Sequence, residues 1–331
     1  ARIAAMHVND VTGAELDFPE PRIVTRSVWA AETLDAYRPL FTDLASSLGT
    51  PTTDLSQLGE LGDDPSSDPL MAMMAGINQL VAPAMLGMSV GSMVGALAQR
   101  VFGTHDLPIP RDQHDVVLVA ATIDAFAAEW SITLDQFRLW VLAHELVGHR
   151  VFAITDIEAD LQHLVRSHVG AFRPDPAALA DKLGGLDATG DNPFEAVQRA
   201  FSDPEILLGA VESPEQAALR PRLDAAVAAV VGYTDWMVDA VAVRLVGGEA
   251  LTIAEAVRRR RIEASPDDVF VERLLGIRLG DDQVRRGKAF VQGVVDRVGE
   301  AELNRLLGLP HPLPTPAELD APGLWVARVS G

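Results

Sequence analysis

The sequence predicts a mainly α-helical fold with a small β element, arranged as two helical lobes flanking a cleft. Three observations carry this. Apolar residues recur at helical spacing along nearly the whole chain. The apolar content is Ala, Leu and Val with only 5% aromatics, a mixture that favours helix over strand. Only Asp115 to Ala120 (DVVLVA) reads as a clear strand, with Ile3 to Val8 a weaker second. A length of 331 residues fits one large domain or two lobes, and the loop Gly184 to Asn192 (GGLDATGDN) marks the boundary between them.

The helices follow from periodicity, and Pro, Gly and Asp punctuate the joins. The pattern predicts Thr25 to Leu48, Pro69 to Pro83, Met85 to Phe102, Leu134 to Ala153, Asp156 to His168 and Pro176 to Leu183. It then predicts Pro193 to Phe201, Pro214 to Val246, Ile253 to Arg260, Asp267 to Leu275, Asp281 to Arg297 and Ala301 to Leu307. The proline-rich tail, Pro310 to Pro322, reads as a surface wrap anchored by Trp325.

Charge and composition narrow the function classes. There are 27 Lys and Arg against 47 Asp and Glu, a formal charge of −20. Such a surface repels nucleic acid and anionic membrane, so neither is expected as a partner. With no cysteine, disulfides, thiolate zinc sites, iron–sulfur clusters and cysteine nucleophiles are excluded. Together with the lack of a basic, then apolar, secretory start, this leads us to expect a cytoplasmic protein. Pro69 to Gln99 carries no charged residue and is long enough to span a bilayer, with Gly87, Gly91 and Gly95 at four-residue spacing. Asn78, Gln79 and Pro83 interrupt it, and Leu and Ile are scarce, so it reads as two helices buried in a protein core. The run Arg258 to Arg261, bordered by Glu255 and Glu263, reads either as a solvated helix end or as an anion or partner site.

The informative segment is Thr133 to Phe152, TLDQFRLWVLAHELVGHRVF. Thr133 with Gln136 predicts a capping box, and Phe137, Trp140, Val141, Leu142 and Leu146 an apolar face. His144 and Glu145 sit mid-helix, where burial is costly unless they are paired or bound to metal. They approach H-E-x-x-H, in which two histidines one turn apart hold zinc and the Glu acts as base. Here the second histidine is His149, five residues on, and Gly148 stands in its place. Residues five apart lie about 140° apart around a helix, so His144 and His149 clasp one ion only if a π-bulge intervenes.

Several sequence blocks resemble the second type of zincin-like metallopeptidase family, some of whose members are labelled as associated with deazaflavin coenzyme biosynthesis. The blocks are Gly91 to Pro110 (GSMVGALAQRVFGTHDLPIP), Asp115 to Trp130 (DVVLVAATIDAFAAEW) and Phe137 to Phe152. They continue through VGYTDWMVDAV (Val231 to Val241) to LPTPAELDAPGLWVARV, so the likeness covers about residues 30 to 331. It implies a zincin-like fold, with His144 as first zinc ligand and Glu145 as general base. The second ligand falls on Gly148, and the third, a Glu before a Gly in the later segment, falls on Val231. Neither binds metal, and a catalytic zinc normally has three protein ligands plus water.

Asp235 and Asp239 follow Val231 at i+4 and i+8, and Tyr233 offers an oxyanion donor. A set of His144, Asp235 and His149 is chemically reasonable and suits Mg or Mn better than zinc. The competing reading has the aspartates pairing with arginines in the core. His163, His168, His105, His114, His7 and His311 read as solvated or hydrogen-bonded side chains. No phosphate-binding P-loop is present.

Two function classes follow. One is a metal-free pseudoenzyme that binds a peptide or protein partner through the old cleft, with no cofactor. The other is a hydrolase with a rearranged metal site, zinc being its cofactor. Either way, the polar and proline interruptions of Pro69 to Gln99 predict recovery without detergent; protein found only in the membrane fraction would contradict this.

Overall fold

The computed structural model describes residues 1–49, 87–88, 90–111, 115–173, 213–262 and 275–331. The chain opens with α1 (Arg2–Thr12), β1 (Arg22–Val24), α2 (Arg26–Ala36) and α3 (Arg38–Gly49). Next come β2 (Val117–Val119), α4 (Ala120–Glu129), α5 (Leu134–Phe152) and α6 (Thr155–Gly170). The C-terminal part holds α7 (Pro214–Val246), α8 (Ala250–Ile262), α9 (Asp281–Val298), α10 (Glu300–Leu307), α11 (Pro316–Asp320) and α12 (Pro322–Ser330). The fold is mainly α, and β1 and β2 pair in parallel with Ile23 opposite Leu118.

Several elements differ from the sequence reading. Ile3 to Val8 lies in a helix, because its buried residues Ala4, Val8 and Thr12 recur every four positions rather than every two. The predicted helix Thr25 to Leu48 breaks at Tyr37. Pro39 lacks an N–H and is tolerated only in the first turn, so a new helix starts just before it. Ala120–Glu129 is a further helix, burying Thr122, Ile123, Phe126 and Ala127. Thr133 makes no side-chain capping bond. The C-terminal tail is not an extended wrap: it forms α11 and α12, and Trp325 is fully buried there, donating Nε1–H to the Pro312 carbonyl at 2.6 Å and packing edge-on to Phe290. Pro69 to Pro83, Pro176 to Leu183, Gly184 to Asn192 and Pro193 to Phe201 lie outside the described residues, as does nearly all of Asp267 to Leu275.

The chain divides into two compact units, Ala1–Tyr37 with Val94–Val165 and Leu219–Gly331, and Arg38–Met93 with Arg166–Ala218. In the second unit, Arg166 pairs with Asp43, and Gln216 donates to the His168 carbonyl. The first unit is built around α5, which packs on α1, α4, β2 and α8. Phe102, Phe126 and Phe137 form an aromatic cluster against it, with ring centroids 5.0–5.1 Å apart. Helices α7 and α9 touch backbone to backbone: a Cβ on Gly232 would strike Gly287, and one on Gly287 would strike the Ala228 carbonyl. Pro214–Arg261 is long and apolar enough to cross a membrane, but 78% of its most apolar window is buried inside the protein, as in a core helix.

Leu146 is 1% exposed on α5. Leu146→Asp would bury an unpaired charge, and thermal or urea unfolding should show a loss of more than about 3 kcal/mol. A second expectation concerns α11, where Thr315 and Glu318 form a reciprocal capping box and Arg328 clamps the Glu318 carboxylate at 2.6 Å. Burial alone would raise the Glu318 pKa, but the Arg328 and Thr315 bonds outweigh it and hold the group below its ordinary 4.5. A depressed carboxylate stabilises the fold above its unfolded pKa, and that stability is lost as pH falls through the folded value. The difference in melting temperature between wild type and Glu318→Gln should therefore be largest near pH 7 and close below pH 4.5.

Candidate functional site

The site forms where α5 meets the segment between residue 102 and β2. On α5, His144 and Glu145 are 4% and 0% exposed. The 103–106 turn presses onto Glu145, which requires glycine at 103: a Cβ there would collide with the Glu145 carboxylate and the Val117 carbonyl. Two N–H groups hold the turn from within, Gly103 at 3.1 Å and Phe102, both donating to Asp106 Oδ2. Trp29 Nε1–H donates to the Gly103 carbonyl at 2.8 Å.

Glu145 is the hub. Its Oε2 accepts the backbone N–H of His105 and the ring Nδ1–H of His105, each at 2.9 Å. Its Oε1 lies 3.3 Å from His144 Nδ1. An ionised carboxylate only accepts, so each facing Nδ1 carries the proton. Burial pushes the Glu145 pKa up, but the bonds and charges of the two imidazoles outweigh it and hold the group well below the carboxylate range. For His144, burial opposes the charged form, yet Glu145 and Asp106 raise its pKa. Burial and the neighbouring Glu145 charge raise that of Asp106, against the pull of His144 and its two amide bonds.

A small pocket, partly open to solvent, lies beside this cluster and is lined by His105, Asp106, His144, Gly148, Val231, Asp235 and Arg261 among others. The predicted residues are placed unequally. Helix α5 is α-helical throughout, without a π-turn, so His149 points away from His144 and packs its ring 5.6 Å from Phe18 and 6.4 Å from His105. Val231 and Asp235, one turn apart on α7, both face the pocket. The Asp235 carboxylate receives Arg261 Nη1–H on both oxygens, at 3.0 and 3.1 Å, with Arg258 at 3.6 Å. Tyr233 lies about 200° from Asp235 around the helix. It lines a separate apolar pocket and meets Asn304 Oδ1 through its hydroxyl at 2.7 Å; burial raises its pKa to about 12.

The arginine run is only partly solvated: Arg259 is exposed, while Arg258, Arg260 and Arg261 are half-buried. Arg258 also bonds Asp239, Arg259 lies over Trp130, Arg260 over Phe102 and Phe126, and Arg261 holds Asp235. Its charges fasten α8 to the rest of the first unit.

Among the described residues, one group could hold a metal ion: Asp106, His144 and Glu145, whose ligand-capable atoms lie within 4.8 Å of one another. From the sequence Asp106 has no assigned role and His105 reads only as solvated or hydrogen-bonded; it is hydrogen-bonded, to Glu145. Their signal was the THDLP turn inside one of the resembling blocks, but nothing in its spacing ties it to a helix 40 residues later.

A family model described as zincin-like metallopeptidase matches residues 1–326, and the chain belongs to that family. The match also takes in the first 29 residues, beyond the sequence blocks noted above. A crystal structure from Chloroflexus aurantiacus, described as "a putative hydrolase with a novel fold", shares the fold at a TM-score of 0.55 and 22% identity, covering 99% of this chain and 88% of that one. No curated protein matches this chain.

Proposed function

We propose that this chain is a non-catalytic member of the zincin-like metallopeptidase family that keeps the family's pocket as a binding site for a peptide or protein partner. The observation that carries this is the engagement of Glu145. A general base needs a lone pair directed at a metal-bound water. Here both carboxylate oxygens are directed at imidazole and amide donors within the protein. A bound zinc would supply a Lewis acid and a water of lowered pKa, and His144 with Asp106 would be its nearest holders. The donor set fits that role poorly. Asp106 Oδ2 is taken by two backbone amides, Asp235 is neutralised by Arg261, and positions 148 and 231 offer no ligand atom. What remains is a small, solvent-open pocket walled by His105, His144, Val231 and Arg261, and its rim is the surface we assign to the partner.

The second reading, a hydrolase with a rearranged centre, rests on the Asp106, His144 and Glu145 group. Elemental analysis of protein purified without tag or chelator separates the two. Under our proposal zinc is well below one per chain, and hydrolysis of unfolded casein is undetectable. Glu145→Gln should cost at least about 2 kcal/mol of stability, because it leaves buried donors facing an amide. One zinc per chain, lost on His144→Ala, would establish the second reading instead.

A further inference from the structure

Gly148 occupies the α5 position from which the second histidine of a His-Glu-x-x-His helix would project. The space above it is filled. A Cβ built on Gly148 would stand 2.5 Å from His105 Cβ and 2.6 Å from His105 Cγ, which are not the movable end of a flexible chain. The imidazole there is no passive filler. Its Nδ1 reaches Glu145 at 2.9 Å, its ring stacks on Phe152 at 6.0 Å between centroids, and only about a tenth of the side chain is exposed. An imidazole from the loop thus lies over the spot where the helix carries none.

We infer that His105 is a positioning residue interlocked with Gly148: its ring fills the volume of the missing ligand side chain and closes Glu145 into a two-imidazole clamp that fastens the 103–106 turn to α5. That the ring stands in for a ligand side chain rests on the reading of the site as metal-free; the interlock itself does not. Two consequences follow. Glycine at 148 is required by His105 rather than by the helix, since the backbone there is ordinary α-helix. A histidine restored at 148 would also collide with the loop unless position 105 were cleared first.

The test uses melting temperatures of the full chain, measured in chelator so that metal binding cannot contribute. In a helix interior, replacing glycine by alanine normally stabilises. In the wild-type background Gly148→Ala should instead lower the melting temperature, by about 5 °C or more for an overpacked core site. In a His105→Gly background the same substitution should raise it. The reversal of sign is the signature of direct interlocking. The hydrogen-bonding half is tested by His105→Asn, whose amide N–H can replace Nδ1–H. That variant should recover more than half of the stability lost in His105→Leu, a pattern that packing alone would not give. Nitrogen-15 imidazole shifts should show His105 protonated at Nδ1 in wild type and altered in Glu145→Gln. If Gly148→Ala stabilises in both backgrounds, or if the asparagine is no better than the leucine, the inference is overturned. Zinc content and proteolysis are read separately, so an enzyme with bound zinc could still show the sign reversal. Failure of the functional proposal and failure of this one are therefore distinguishable.

Discussion

A carboxylate with no exposure to water sits between two imidazoles and a backbone amide, and the first unit is organised around that requirement. Ionised Glu145 cannot be left in the core without donors, since an unpaired buried charge would cost more than most domains have to spare. The donors it finds come from two directions. His144 is supplied by its own helix, and His105 by a turn about 40 residues earlier in the chain. Meeting the charge therefore brings the turn against α5. That approach sets the need for glycine at 103, and the His105 ring sets it at 148.

The same logic governs α8. Four consecutive arginines on an acidic protein suggest a surface feature, and Arg259 is indeed exposed, but all four have partners within the chain. Two go to the aspartates of α7 and two to aromatic faces. The Asp235 carboxylate is committed to Arg261 in this way. A guanidinium has fixed donor geometry and stays charged, which suits it to bridging both oxygens of a carboxylate.

Packing devices that hold the helices, such as the glycine contact between α7 and α9, do not depend on any ligand. The residues at the pocket fit one another as a set. Glycine at 148 accommodates His105, and valine at 231 presents an apolar wall beside Asp235 and Arg261. Each is chemically consistent with its neighbours, which is what a settled core requires.

How much of this was legible beforehand depends on the range of the interaction. Helical periodicity marked α5, α6, α7, α9 and α10 because an amphipathic stripe is written in residues three and four apart. The family blocks and the absence of ligand side chains at Gly148 and Val231 were likewise visible in the chain itself. Periodicity misread Ile3 to Val8, where six residues are too few to separate a period of two from one near four, and it passed over α4, which is alanine-rich and short. From the chain alone came the helical class and the family. Only the tertiary structure decided that His105 would lie over Gly148 and that Asp106 would join His144 and Glu145. Those are contacts between residues about 40 apart in the chain, and they exist only once burial of Glu145 brings loop and helix together.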